Sequence, residues 1–247
     1  MGIELRPDEH YTVIGITGGG KSTFLRGLML PTMLKQKNSY FVIVDIKNEW
    51  GTKGETLVES PVELNDALYG KDKPVSQIIR VRPYDDATQA YAEEILRAAW
   101  GPYTRNQKGR GRYQPTFGVR VILDDAAAWY QETGGRGGED FLRKYATLGR
   151  GMGPRTLMVV TQRGQIIPKI ILTQSSMVIA FRMAPYDIIN TIEKQWDRKI
   201  GNAIRALPRY GYAILSDELD NFVEVYNAVK KPVKTPPRPK GVELIDG

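Results

Sequence analysis

The chain has 247 residues, 41% of them apolar, which is enough to bury the core of one large α/β domain. Its formal charge of +7 favours an anionic partner, nucleic acid first. It contains no cysteine, and His10 is its one histidine, so disulfides, thiolate metal sites and histidine-rich metal centres are excluded.

No leader is evident and no apolar run approaches about 18 residues, so a soluble intracellular protein without a transmembrane segment is expected. "YTVIG" (11–15) reads as a short buried strand entering a glycine run. The helix after it carries Phe24, Leu25, Leu28 and Met29 on one face and is expected to stop near Pro31. "SYFVIVD" (39–45) and "SQIIRVRP" (76–83) are further buried strands, and residues 87–100 have helical spacing. A loop rich in glycine and base, 101–115, leads to the strand "GVRVILDD" (118–125). The loop "GGRGGED" (134–140) precedes a helix over "FLRKYATLGR". Two strands follow at 155–162 and 176–182, then a helix through "YDIINTIEKQW". Residues 210–226 alternate about a polar turn, as a β-hairpin does. Alternating strands and helices predict a mostly parallel sheet covered on both faces. One domain is expected over 1–227, with a basic, Pro-rich, extended tail over 228–247.

Gly15-Ile-Thr-Gly-Gly-Gly-Lys21-Ser22 fits the phosphate-binding pattern G-x-x-x-x-G-K-[ST] between a strand and an amphipathic helix. Glycines let backbone N–H groups converge on a phosphate where a Cβ would obstruct them. Lys21 is expected to bridge the β- and γ-phosphates of ATP and Ser22 to hold Mg²⁺. Thr17, Gly18, Gly19, Gly20 and Thr23 complete the cradle. The metal also needs a carboxylate at the end of a second strand, and both Asp45 and Asp124 stand there. Only Asp124 is followed directly by another acid, so Asp124 is assigned to the metal and Asp125 to polarising the attacking water.

With these motifs placed, "VDIKNEW" (44–50) resembles the Asp-x-Lys-x-Glu element of the FtsK/HerA superfamily of DNA-pumping ATPases. "GRGMGPRTLMVVTQR" (149–163) and "SMVIAFRM" (176–183) are similar to its later strands, and the resemblance spans about Tyr11 to Leu215. It implies a RecA-like P-loop fold, with Gln162 sensing the γ-phosphate or the water. It also implies an arginine reaching a neighbouring subunit's nucleotide: Arg150, with Arg155, Arg163 and Arg182 as rivals. One departure is that the second carboxylate is Asp125, where the family has glutamate. A motor domain with only a basic tail most resembles the genome-packaging ATPases of double-jelly-roll and membrane-containing viruses. That implies a homo-oligomeric ring, a hexamer by preference, acting on double-stranded DNA in the host cytoplasm, with virion association open. A capsid or membrane-vertex protein would be a further partner.

The segment 101–123 has no acid and contains Arg105, Lys108, Arg110, Arg112 and Arg120, bases suited to sequence-independent phosphate contacts. Arg136 lies in a second candidate DNA loop. Alternatives are a HerA-like, conjugative or filamentous-phage assembly motor, a small-molecule P-loop kinase using 101–115 as a lid, and a nucleotide-dependent switch with negligible turnover.

Overall fold

Runs such as Phe41–Val44 and Val178–Phe181 are apolar throughout, and such runs are stable as strands only where both faces are covered. The computed structural model describes residue 6 and residues 8–51, 53–70, 77–83, 89–101, 117–129, 141–149, 155–164, 168–183, 189–195, 198–219 and 223–226. In chain order it forms β1 (His10–Ile14), α1 (Lys21–Phe24), a π turn (Leu25–Met29), α2 (Leu30–Met33), β2 (Ser39–Val44) and β3 (Thr56–Val58). Then come α3 (Pro61–Tyr69), β4 (Ile78–Val81), α4 (Gln89–Trp100), β5 (Gly118–Leu123), α5 (Ala126–Trp129) and α6 (Phe141–Leu148). The last elements are β6 (Arg155–Thr161), α7 (Lys169–Gln174), β7 (Ser175–Phe181), α8 (Ile189–Gln195), α9 (Arg198–Arg205), β8 (Tyr212–Leu215) and β9 (Val223–Tyr226).

The strands form one sheet in the order β3-β4-β2-β5-β6-β1-β7-β8-β9. β1 to β7 are parallel, and β8 and β9 close the far edge as the expected antiparallel hairpin. Successive side chains divide between two cores, as the pleat requires. Val42, Val121 and Val159 pack under α3, α4, α6 and α7, and Ile14, Val178 and Ala180 continue that face under α8 and α9. On the opposite face Tyr11, Val13, Ile43, Ile122 and Met158 meet Phe24, Leu25, Met29 and Met33 of the helix after β1. The largely parallel α/β architecture expected from the sequence is therefore present.

The helix ends at Met33, two residues past Pro31 and so near it as expected, and a π turn over Leu25–Met29 widens the coil just before the proline. A wide turn accommodates the ring and the missing N–H. Leu34 N still donates to Leu30 O at 2.9 Å beyond it.

The parallel strands all deliver their C-terminal ends to one edge, where open α/β sheets bind ligands. Because β6 lies between β1 and β5, the residue after β6 falls between the glycine turn and the paired carboxylates. No helix among the described residues is long and apolar enough to cross a membrane.

Candidate functional site

After β1 the backbone passes very close to β7. A Cβ on Gly15 would lie 2.5 Å from Phe181 Cβ, so this position tolerates only glycine. Ile16 N donates to Arg182 O at 3.1 Å, fixing the entry to the turn. Gly20 caps α1 with φ 107°, a left-handed conformation that the glycine run supplies. Lys21 is only 8% exposed, and its Nζ donates to Gly15 O at 2.6 Å and Ile16 O at 3.0 Å. Burial pushes its pKa down to about 8, against the pull of Asp124 and Asp125. Thr17 Oγ1 donates to Gln162 Oε1 at 2.5 Å, tying the turn to the end of β6.

Asp124, at the end of β5, is also 8% exposed. Its Oδ2 accepts from Trp50 Nε1 at 2.6 Å, and its Oδ1 accepts from Asp125 N at 3.1 Å. Burial raises its pKa, the indole bond works against that, and the carboxylates of Asp45 and Asp125 add to the rise. Asp125 has φ 55°, which aspartate tolerates better than most residues. Its Oδ2 sits 2.5 Å from Lys47 Nζ.

The structure also separates the two competing strand-end carboxylates. Asp45 is fully buried and accepts from Glu49 N at 3.0 Å, Trp50 N at 2.8 Å and Arg80 Nη1 at 3.4 Å. Arg80 in turn bonds Asn48 Oδ1 at 2.5 Å and Glu55 at 2.6 Å. Asp45 thus organises the 45–50 turn that carries Lys47, Glu49 and Trp50 to the site. Arg26 braces the same turn, donating to Glu49 O and lying 5.3 Å over the Trp50 ring.

Together these groups bound a cleft of about 380 Å³. Thr17, Gly18, Gly20, Lys21, Ser22, Thr23, Asp124, Asp125 and Gln162 line it, as expected from their motifs. Lys47, Glu49 and Tyr210 line it as well, without having been expected there. Lys47 and Glu49 have a signal in the Asp-x-Lys-x-Glu element. Trp50 closes the same 44–50 element and arrives on the same turn, whereas nothing in the sequence marks Tyr210.

Two basic residues are corrected. Arg120, grouped with the DNA-facing bases, is 2% exposed. It lies 4.8 Å over the Tyr11 ring, and its guanidinium bonds Thr156 Oγ1 at 3.0 Å and the carbonyls of Arg6 and Glu9. Arg155, a rival for the arginine finger, is 1% exposed. Its guanidinium donates to Trp100 O at 3.2 Å, Phe117 O at 3.1 Å and Tyr69 Oη at 3.1 Å. Both side chains serve the core. Arg155→Met should therefore lower stability by roughly 2–4 kcal/mol, the scale of stranding buried carbonyls that had charged donors. A large fall in Tm with near-normal turnover of the folded fraction is the expected pair of readings; unchanged Tm with abolished turnover would return Arg155 to the finger role. Arg163 and Arg182 are exposed. Arg150, Arg105, Lys108, Arg110, Arg112, Arg136 and the 228–247 tail lie outside the described residues.

Comparison with known proteins places this geometry in context. A family model described as "Helicase HerA, central domain" matches residues 7–246. The fold is similar to that of the genome packaging NTPase B204 from Sulfolobus turreted icosahedral virus 2 in complex with ATP-gammaS. That match has 16% identity and TM-score 0.68, covering 92% of this chain and all of that one. The pCW3 conjugation coupling protein TcpA is similar at 18% identity and TM-score 0.55, over 90% of this chain and 60% of its own. A bacterial conjugative coupling protein aligns at 10% identity and TM-score 0.58, over 96% and 88% of the two chains. No protein of curated function matches the chain at the sequence level.

Proposed function

The chain belongs to the family of the HerA helicase central domain, and from that premise we propose that it is an ATP-hydrolysing motor that translocates double-stranded DNA. Packaging of a viral genome into a preformed capsid is the role we favour, since the packaging NTPase B204 shares its fold over its whole length. The observation that carries the reading is the convergence of Lys21, Ser22, Asp124, Asp125 and Gln162 around one glycine-walled cleft.

The cleft fits a nucleoside triphosphate. Lys21 is a buried ammonium whose hydrogen-bond partners are carbonyls, so an incoming phosphate gives it a full counter-charge. The glycine turn leaves the room that side chains would fill. Among the described residues no three acidic or histidine side chains cluster as a self-sufficient metal site. Ser22 and Asp124 suit a Mg²⁺ that arrives with phosphate oxygens, the usual way that ion is held. Bound there, Mg²⁺ offsets negative charge on the transferring phosphoryl group.

Trp50 keeps Asp124 turned toward the cleft, and Asp125 holds the attacking water. Lys47 Nζ pairs with Asp125 Oδ2 at 2.5 Å and fixes that carboxylate at the cleft wall. Gln162, linked to Thr17, reads the terminal phosphate. Arg150 acts from the neighbouring subunit of a ring, a hexamer by preference, and Arg105, Lys108, Arg110, Arg112 and Arg136 contact the DNA backbone.

The test is ATPase rate against duplex DNA concentration at two salt levels. Wild type should be stimulated by DNA. Replacing Arg105, Lys108, Arg110 and Arg112 together by alanine should remove the stimulation and keep basal turnover. The salt slope of binding should fall by about 0.9 for each DNA phosphate that the variant no longer neutralises. Turnover indifferent to DNA at low salt, yet accelerated by a small phosphate acceptor, would replace the motor with a kinase.

A further inference from the structure

Beside the glycine turn stands an aromatic side chain that the phosphate chemistry does not use. Tyr210 shares the cleft wall with Gly20, Lys21 and Thr23, and the residue is 43% exposed. A Cβ placed on Gly20 would lie 3.4 Å from Tyr210 Cδ1, so the ring is within van der Waals reach of the residue before Lys21. The backbone of Tyr210 has φ 68°. That left-handed conformation is unfavourable for a bulky residue and persists where its neighbours over-determine it. Here the turn is closed by Gly211 N donating to Pro208 O at 2.9 Å, and β8 begins directly after it. The Arg209 guanidinium stacks 5.0 Å from the ring centroid. The chain thus accepts local strain to hold an accessible, cation-backed ring at the edge of the phosphate site.

We infer that the Tyr210 ring is the platform on which the heteroaromatic base of the bound nucleoside triphosphate stacks. The inference rests on the phosphate-loop reading above and adds the base subsite to it. Stacking recognises a π face and not a hydrogen-bonding edge, so it serves adenine and guanine alike. Tyr210 supplies affinity, and it does not discriminate between purines.

The experiment is calorimetric binding of ATP, GTP and inorganic tripolyphosphate, each with Mg²⁺, to wild type, Tyr210→Asn and Tyr210→Phe. Asparagine removes the ring but suits the left-handed backbone, so the turn survives. Tyr210→Asn should weaken ATP and GTP by about tenfold or more and leave tripolyphosphate binding unchanged. Tyr210→Phe should bind all three as wild type does. Undiminished ATP affinity in Tyr210→Asn overturns the inference. So does an equal loss for tripolyphosphate, which would mean that Tyr210 only props the loop, or a matching loss in Tyr210→Phe, which would place the effect on the hydroxyl. Wild type binding neither ATP nor tripolyphosphate strikes the phosphate-loop reading itself, and the base platform with it.

Discussion

Lys21→Ala is expected to abolish measurable ATP hydrolysis, a fall of about 10³-fold or more in kcat/KM, because a pre-positioned cation is removed where charge develops. The side chain is buried, and its ammonium is held by the carbonyls of Gly15 and Ile16. Burial pulls its pKa down to about 8, so the folded chain holds this charge at a cost that Asp124 and Asp125 only partly offset. Alanine removes that cost. It also leaves the carbonyls of Gly15 and Ile16 without their charged donor, so the two effects oppose: Tm without ligand should change little, and the Tm increase expected of wild type with Mg·ATP should be lost. Those two readings together separate impaired ligand binding from a damaged fold. Wild-type turnover at saturating ATP in Lys21→Ala would remove the phosphate-loop assignment.

How much of this is legible in the sequence follows how local each determinant is. The glycine turn, Lys21 and Ser22 are contiguous, and both the adjoining strand and the helix face are apolar patterns, so they can be placed from the residues alone. The choice between Asp45 and Asp124 is harder, since each ends an apolar strand and little nearby distinguishes them beyond the second acid at Asp125. Asp45 is settled by Arg80, which lies 35 residues away and reaches it only because β2 and β4 pair. Arg120 and Arg155 mislead for a related reason. A base with no acid beside it in sequence reads as solvated, yet their partners are backbone carbonyls, a hydroxyl and aromatic rings that leave no such mark. Pro31 marks the end of the first helix to within two residues, but nothing in the residues marks the π turn just before it. β3 is only three residues long, too short for an alternating pattern to stand out. Helix α3 goes unread in the sequence although its start is marked: Ser60 accepts from Glu63 N at 3.2 Å, and Pro61 opens the helix.

Asp125→Asn is expected to slow hydrolysis by about 10²-fold or more while Mg·ATP still binds, the scale of removing general-base assistance. The substitution keeps the size of the side chain. Asparagine also tolerates the φ of 55° found at this position, so the turn after β5 should survive. Asp124 should keep its bond from Trp50, because that contact does not involve Asp125. Lys47 loses its partner, but it is 41% exposed and water replaces the carboxylate at little cost in stability. The expected signature is a reduced kcat, a KM for ATP close to wild type and an unchanged Tm. Asp124→Asn provides the contrast: with its carboxylate proposed as the metal-side group, its defect should appear as a raised Mg²⁺ requirement before it appears in turnover at saturating Mg²⁺. Aspartate is one methylene shorter than glutamate, so Asp125→Glu addresses reach directly. If a longer arm brings the carboxylate nearer the water, turnover holds or rises; a fall of the same size as in Asp125→Asn would mean that the site is built to the shorter side chain and its Lys47 partner. If Asp125→Asn and Asp124→Asn both lose only nucleotide affinity, the two carboxylates share one binding role and the water must be activated by another group, with the Glu49 carboxylate and Gln162 the candidates among the residues that line the cleft.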